Sequence, residues 1–192
     1  MEFSPSFVSA FKFSMRYEVG PKFIFEDPDT QAGLCTTKVQ KGKTGYVCVE
    51  GDLGGETKFG IAKNANPDLD IKSLTLKQAM EIYYNRYWKP LGCENFDENL
   101  ALMLFDAGVN HGIGWAAKCL QKAVGTTPDG QIGNITIGKT KTFKSAELCD
   151  IILKSREDLF RSIVSRKPNQ AKFLKGWLNR IADIKAYLAA QK

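Results

Sequence analysis

Apolar residues recur at helical spacing near the start of the chain. Phe7, Phe11 and Met15 lie four residues apart, and at about 100° per residue this spacing places them on one face of a helix. A Ser-Pro pair at Ser4 is a typical helix start, and a Gly-Pro pair at Gly20 is a typical helix end. The pattern therefore predicts one amphipathic helix between these two pairs.

The helical spacing disappears between residues 22 and 62. Glycines, threonines and short β-branched runs replace it, and the turn-rich segment KGKTG separates the runs LCTTKV and YVCVE. Two such runs on either side of a turn predict a β-hairpin. We therefore expect a small β lobe near residues 33–62.

Helical spacing returns at Thr75 and continues to the end of the chain. Thr75 and Gln78 match a capping box, and Asp97 can cap the apolar segment ENLALMLFDAGVNH, which is typical of a buried central helix. A helix near WAAKCLQKAV and two amphipathic helices near 145–166 and 169–190 follow. The sum predicts an α+β fold, predominantly helical, with a cleft between the β lobe and the helical body.

The length of 192 residues suits one sizeable hydrophobic core. We expect a single domain over residues 1–192, with an N-terminal part, 1–92, that carries the β lobe and a helical part, 93–192. No apolar run approaches the roughly 20 residues of a membrane-spanning helix, and the N-terminus lacks the pattern of a signal peptide. These features predict a protein that stays in the cytosol until something else releases it.

The cysteine content argues against a zinc site, and the net charge suggests several classes of partner. Five cysteines and one histidine lack the paired spacings that suit zinc, so we expect reduced and mostly buried thiols. A formal net charge of +6 suggests a polyanionic partner, which is nucleic acid, an anionic membrane surface or an anionic cell wall. The alternative is a positive surface that is simply solvated.

Glu18 stands at the end of the first predicted helix, eleven residues after Phe7. At about 100° per residue, this separation returns it to the apolar face. A carboxyl there is partly desolvated, which favours the protonated form that can donate a proton to a glycosidic oxygen. The alternative is a helix-end glutamate whose side chain bends out to solvent.

The segment EGDLGGETKFGI places Asp52 and Thr57 on either side of a glycine pair, where the backbone is free for tight turns or close ligand approach. Glu18 and Asp52 bracket the β lobe. Glycoside hydrolysis commonly needs a proton donor and a second carboxylate that activates water or stabilises positive charge on the sugar. A chain with 21 acidic residues offers many such pairs, so the pair alone does not single out this chemistry.

Six ordered segments resemble glycoside hydrolase family 108, which comprises N-acetylmuramidases of phage endolysins and prophage lysis cassettes. They are YEVGPKFIFEDPD, GDLGGETKFGI, IYYNRYW, LFDAGVNHGIGWAAKCLQKAVG, PDGQIG and FLKGWLNRI. They cover nearly the whole chain, residues 15–182, and the C-terminal part resembles a peptidoglycan-binding segment. The resemblance implies a lysozyme-like helical body with a small β lobe.

The resemblance also assigns site residues. The family's catalytic glutamate, in a glutamate-glycine-glycine motif, falls on Glu18 in EVG, where Val19 replaces the first glycine. The family's aspartate before the glycine pair and its following threonine fall on Asp52 and Thr57. An insertion, CTTKVQKGKTGYVCV, lengthens the segment between Glu18 and Asp52.

Further residues are candidates for substrate binding. The family motif FDAGVNHGIG implies that Asn110 shapes the cleft floor. His111, the only histidine in the sequence, suits a general base, and the alternative is a structural or cleft-lining role. Tyr83, Tyr87 and Trp88 are candidates for stacking on sugar rings, and the alternative at their helical spacing is a place in the core.

The resemblance implies an endolysin that hydrolyses the β-1,4 bond between N-acetylmuramic acid and N-acetylglucosamine in peptidoglycan and so lyses the host cell. Glu18 is then the general acid, Asp52 assists water or stabilises the transition state, and Thr57 positions water or Asp52. This chemistry needs no metal or organic cofactor. The alternatives are a lytic transglycosylase and a non-catalytic module that binds the cell wall.

The expected partners are peptidoglycan glycan strands, and the chain is expected to act as a monomer without stable membrane insertion. Its lysines are scattered and accompany no nucleic-acid motif, so no specific nucleic acid is expected. We expect the protein to wait in the host cytoplasm until a separate membrane-lesion protein admits it to the periplasm and cell wall.

Overall fold

The computed structural model describes residues 2–20, 46 and 55–190. The chain forms two compact units, Met1–Arg86 and Tyr87–Lys192, whereas the sequence suggests a functional division after residue 92. The predicted run LCTTKV lies outside the described residues, as do Asp52 and the run YVCVE apart from Tyr46. Within the described part of the chain, no helix is long and apolar enough to cross a membrane.

The first unit opens with α1, Pro5–Glu18. The backbone N–H of Phe7 donates to Ser4 Oγ at 3.3 Å, which satisfies one of the unpaired donors at the helix start. Phe7, Phe11 and Met15 are fully buried along one face. The predicted helix, its N-terminal cap and its apolar face are confirmed.

A two-stranded antiparallel sheet follows, with β1 at Thr57–Lys58 and β2 at Ile61–Ala62. The two residues between the strands, Phe59 and Gly60, both have positive φ angles, +52° and +76°. Positive φ at both central positions is the mark of a type I′ hairpin turn. A small β element is therefore confirmed at the end of the predicted 33–62 lobe, and the remainder of that lobe, except Tyr46 and 55–56, lies outside the described residues.

The next helix, α2, spans Leu76–Tyr83 and begins with the predicted capping box, in which Thr75 and Gln78 each satisfy the other's backbone N–H. The helical spacing of aromatic residues continues beyond Tyr83, but the backbone widens there into a π-helical turn, Tyr84–Trp88. Over only five residues, the spacing of the side chains does not distinguish a π-helical turn from an α-helical one.

Five α-helices build the second unit. Their bounds are α3 Glu98–His111, α4 Ile113–Ala123, α5 Asn134–Thr140, α6 Ser145–Arg166 and α7 Ala171–Ala190. Short 3₁₀ turns lie at Lys63–Ala65 in the first unit and at Cys93–Asn95 and Pro168–Gln170 in the second. The two predicted C-terminal helices are confirmed, and α5 is a further helix that the sequence analysis did not predict.

Helix α3 is the centre of the second unit. Asp97 accepts hydrogen bonds from the N–H groups of Asn99 and Leu100, as predicted for its N-cap. Every residue of the helix from Leu100 to Gly108 is buried. The predicted central buried helix is therefore confirmed.

One of those buried residues is an acid, Asp106. Its carboxylate accepts a hydrogen bond from Arg156 of α6 at 2.8 Å and another from Arg180 of α7 at 2.7 Å. Burial by itself would raise the pKa of Asp106, but the charges of Arg180 and Arg156 outweigh it and lower the pKa from 3.8 to about 2. The acid therefore stays charged and joins three helices.

His111 extends this cluster at the end of α3. Its Nε2 accepts a hydrogen bond from Nε of Arg156 at 3.2 Å, and its ring lies 4.7 Å from the ring of Trp115 and 5.0 Å from that of Phe160. Burial and the charge of Arg156 lower the pKa of His111 from 6.5 to about 3. The ring is therefore neutral near pH 7, with Nε2 as an acceptor.

A depressed pKa at His111 predicts a specific loss of stability in acid. The unfolded chain binds a proton on this ring below pH 6.5 and the folded chain does not until about pH 3. The free energy of unfolding should therefore fall as the pH decreases from 6.5, by at most about 1.4 kcal/mol per pH unit for this group.

Urea unfolding of the second unit between pH 7 and pH 5 measures this dependence. His111→Gln removes the titrating ring and keeps an oxygen that can accept from Arg156, so its unfolding free energy should vary less with pH. An equal slope in the variant and the original chain would contradict the assignment.

Candidate active site

Glu18 is the last residue of α1 and is half-buried. The helix ends directly after it, where the N–H groups of Val19 and Gly20 both donate to the carbonyl of Met15, at 2.8 and 3.3 Å. Val19, which replaces a family glycine, is 2% exposed. The larger residue is thus accommodated in the core, beside an acid that stays near the surface.

The hairpin turn packs against this acid. A Cβ atom placed on Gly60 would lie 3.2 Å from Glu18 Cβ and 2.7 Å from the Tyr83 hydroxyl oxygen. Side chains do not fit at such separations, and the φ of +76° at Gly60 also disfavours them. The absence of a side chain at Gly60 therefore lets the hairpin backbone contact the stem of Glu18.

Tyr83 of α2 holds that turn in place. Its hydroxyl donates a hydrogen bond to the carbonyl oxygen of Phe59 at 3.0 Å, and its ring meets the ring of Phe11 edge-on, with centroids 5.4 Å apart. Phe59 is 2% exposed and adopts a positive φ, which for a residue other than glycine costs on the order of 1–3 kcal/mol. The Tyr83 bond and the burial of Phe59 offset that cost.

Thr57 lies on β1, two residues before the turn, and is half-buried. Its backbone pairs with Ala62 of β2. The structure thus places Thr57 in the hairpin whose turn contacts Glu18. Asp52, the other proposed carboxylate, lies outside the described residues, and the structure reports no distance between it and Glu18.

The aromatic candidates differ in their burial. Tyr83 is 4% exposed and Trp88 is fully buried, so the core alternative describes both. Trp88 also donates from Nε1 to Glu94 at 2.8 Å. Tyr87 is half-buried, with its ring edge-on to Phe105 at 6.4 Å, and it keeps a partly accessible surface.

Asn110 lies in the last turn of α3 and is half-buried. Its side-chain oxygen is buried and accepts no hydrogen bond from the described residues. A buried carbonyl oxygen of this kind is usually satisfied, so it is suited to accept from a bound molecule. Nε2 of the neighbouring His111 already accepts a hydrogen bond from Arg156, which favours a structural role for this ring over that of a general base.

The sequence contains a local signal for the turn at Phe59 and Gly60. The pair Phe59-Gly60 separates two short β-compatible runs, TK and IA, and a two-residue loop ending in glycine is a hairpin signature. The Tyr83 contact carries no comparable signal, because 24 residues separate the hydroxyl from its acceptor. Among the described residues, no cluster of three His, Cys, Asp or Glu side chains could hold a metal ion.

Comparison with known proteins matches two consecutive segments of the chain to families. Residues 36–112 match the family described as Glycosyl hydrolase 108, and residues 115–182 match the family described as Predicted Peptidoglycan domain. No curated protein matches the sequence. Among solved structures, the chain is similar to SagA of Brucella abortus, with a TM-score of 0.66 and 22% identity over 95% of each chain, which shows a shared fold.

The first match begins after Glu18 and contains Asp52, Thr57, Tyr83 and Asn110. The assignment of Glu18 thus depends on its EVG motif and on its contact with the hairpin, which lies inside the matched segment. The two matches follow one another along the chain in the order catalytic segment, then wall-binding segment. The chain thus contains a segment that matches the Glycosyl hydrolase 108 family, followed by a segment that matches a peptidoglycan domain, and it is a glycoside hydrolase that acts on the peptidoglycan of the cell wall.

Proposed function

We propose that the enzyme hydrolyses the β-1,4 bond between N-acetylmuramic acid and N-acetylglucosamine, with Glu18 as general acid. The observation that carries this proposal is the contact between Glu18 and the Gly60 turn of the family-matched hairpin. A half-buried carboxyl held against a rigid backbone turn has the restricted position that proton transfer requires.

In the proposed reaction, Glu18 donates its proton to the oxygen that leaves C1 of N-acetylmuramic acid. The C1–O bond breaks, positive charge develops on the sugar, and a water molecule adds to C1 and gives up its proton. Asp52 activates that water or stabilises the charge, and Thr57 positions the water or Asp52. The products are two glycan fragments, one with a new reducing end.

The hairpin turn restricts the position of Glu18 through its shape. Gly60 limits where the stem of Glu18 can move, and Tyr83 limits where Gly60 can move through its bond to Phe59. Tyr83 is therefore a positioning residue in this proposal. Its role does not require contact with substrate, which agrees with its burial.

In its biological setting, the proposed enzyme is an endolysin that lyses a host cell from within. It waits in the host cytoplasm until a separate membrane-lesion protein admits it to the periplasm, and there it acts as a monomer on glycan strands. The support is the resemblance of its ordered motifs to the muramidases of phage lysis cassettes. Lysis of cells only on co-expression with a membrane-lesion protein is the expected result.

Glu18→Gln keeps the side-chain volume and removes the transferable proton. We expect the variant to fold and to bind wall fragments normally, while its turnover falls by about 10² or more. The measurement is release of reducing ends from purified peptidoglycan, with mass spectrometry of the products. Reducing ends indicate hydrolysis, and anhydro ends would instead indicate a lytic transglycosylase.

The matched control is Glu2→Gln, which removes the same charge from an exposed position ahead of α1. It should retain the original turnover. A folded Glu18→Gln protein with the original turnover would refute the proposed mechanism.

Asp52→Asn and Thr57→Ala test the remaining catalytic assignments. Each should lower turnover and leave the melting temperature nearly unchanged, because both residues are proposed to support the transition state and not the fold. Activity assays paired with thermal unfolding check this. Loss of melting temperature in step with loss of activity would assign the residues a structural role.

Tyr83→Phe removes only the hydroxyl that holds the turn and keeps the ring that packs on Phe11. Misplacement of the acid should lower kcat about tenfold and leave KM unchanged. Loss of the bond to a buried carbonyl should lower the free energy of unfolding by about 1–3 kcal/mol.

Kinetics well below the melting temperature separate the two effects, since a purely structural contact would not change kcat there. Tyr187→Phe, in α7 of the second unit, is the control and should keep the original kcat. An unchanged kcat in Tyr83→Phe would remove Tyr83 from the positioning role.

A further inference from the structure

A groove of about 520 Å³ runs between α4 and α6 in the second unit. Its volume is in the range of small-molecule binding sites, roughly 300–1,000 Å³. All of its lining residues lie between positions 115 and 162, inside the segment that matches the Predicted Peptidoglycan domain. The family match does not state where on that segment a ligand binds.

One wall of the groove is basic. Lys118 and Lys122 stand one helical turn apart on α4, and both are exposed. The facing acid, Asp158 of α6, is paired with Lys154 one turn before it, so its charge is compensated. Lys118 also faces Asp129, whose pKa its charge helps to lower. Because Lys154 compensates Asp158 and Lys118 lies near Asp129, the rim of the groove near Lys122 keeps a net positive charge.

Apolar surface accompanies the charge. Half-buried Trp115 stands at one end of the groove, and Ile151 lines it with 42% of its surface exposed. Cys119 also lines the groove, where burial raises the pKa of its thiol, so it stays neutral. The groove thus combines an aromatic and aliphatic surface with two ammonium groups, which fits a ligand that carries both apolar parts and carboxylates.

We infer that this groove binds the peptide stem of peptidoglycan, with stem carboxylates on Lys118 and Lys122 and apolar parts of the ligand on Trp115 and Ile151. The inference rests on the proposed function in taking peptidoglycan as the substrate. N-acetylglucosamine is uncharged and N-acetylmuramic acid without a peptide carries a single lactyl carboxylate, whereas a stem peptide supplies several carboxylates that can reach both lysines. The site thereby selects glycan strands that carry stem peptides.

The test measures binding of the disaccharide N-acetylglucosaminyl-N-acetylmuramic acid with its tetrapeptide by calorimetry. The glycosidic bond inside this disaccharide starts at C1 of N-acetylglucosamine, whereas the enzyme is proposed to cleave the bond at C1 of N-acetylmuramic acid. Binding is therefore measured without turnover. The double variant Lys118→Gln/Lys122→Gln keeps the aliphatic stems and removes both charges. We expect its affinity for this ligand to fall at least about tenfold, as for the loss of two charge-assisted hydrogen bonds.

Three controls define the result. Lys139→Gln/Lys185→Gln makes the same change in net charge at exposed positions on α5 and α7 and should bind as the original chain does. Amidation of the ligand's carboxylates should weaken its binding to the original chain and have little further effect on the groove variant. Neutral chitotetraose should not distinguish the original chain from the groove variant.

The inference is overturned if the groove variant binds the tetrapeptide ligand with the original affinity, or if both double variants lose affinity equally. Competition by a DNA oligonucleotide as strong as that by the ligand would also overturn it, since this would indicate general attraction of anions. Failure of the proposed function is a separate outcome. In that case the groove binds this ligand through its lysines, but the Glu18→Gln variant still cleaves glycan.

Discussion

The second unit is organised around one buried charge. Asp106 is fully buried in the central helix, and a carboxylate in that position is tolerated only with partners that replace its lost hydration. Arg156 and Arg180 supply them from α6 and α7, so the need to satisfy one acid fixes the positions of three helices. The same arginine, Arg156, holds His111 neutral and fills its acceptor nitrogen. A ring so engaged is poorly suited to proton transfer at neutral pH.

The first unit relies on backbone shape instead. The stem of Glu18 lies against the Gly60 turn, a type I′ turn in which Gly60 has no room for a side chain. Such a turn is rigid because both of its central residues occupy a conformation with few alternatives, and Tyr83 fixes it further. The turn therefore limits where the proposed acid can lie, and a single added methyl group at Gly60 would disturb this packing.

Local features of this fold were predictable and distant ones were not. The caps at Ser4, Thr75 and Asp97 follow from bonds over two or three residues, and the sequence spacing identifies them directly. The buried cluster joins residues 50 and 74 positions apart, and in the sequence Asp106 resembles a polar interruption of an apolar helix. The candidate site also combines a local feature with a distant contact. Helical spacing and a motif were enough to propose Glu18, whereas its packing against Gly60 depends on the tertiary structure.

The net charge of the chain could likewise not be assigned to a binding surface from the sequence alone. A net charge of +6 suited nucleic acid, membrane and cell wall alike, because composition contains no positions. In the folded chain, some lysines are paired with an acid, as Lys154 is with Asp158. Lys118 and Lys122 instead stand along a groove with Trp115 at its end. A flat basic surface would attract any polyanion, but a groove with apolar walls discriminates by shape as well, and this favours a short acidic peptide over a long phosphate backbone.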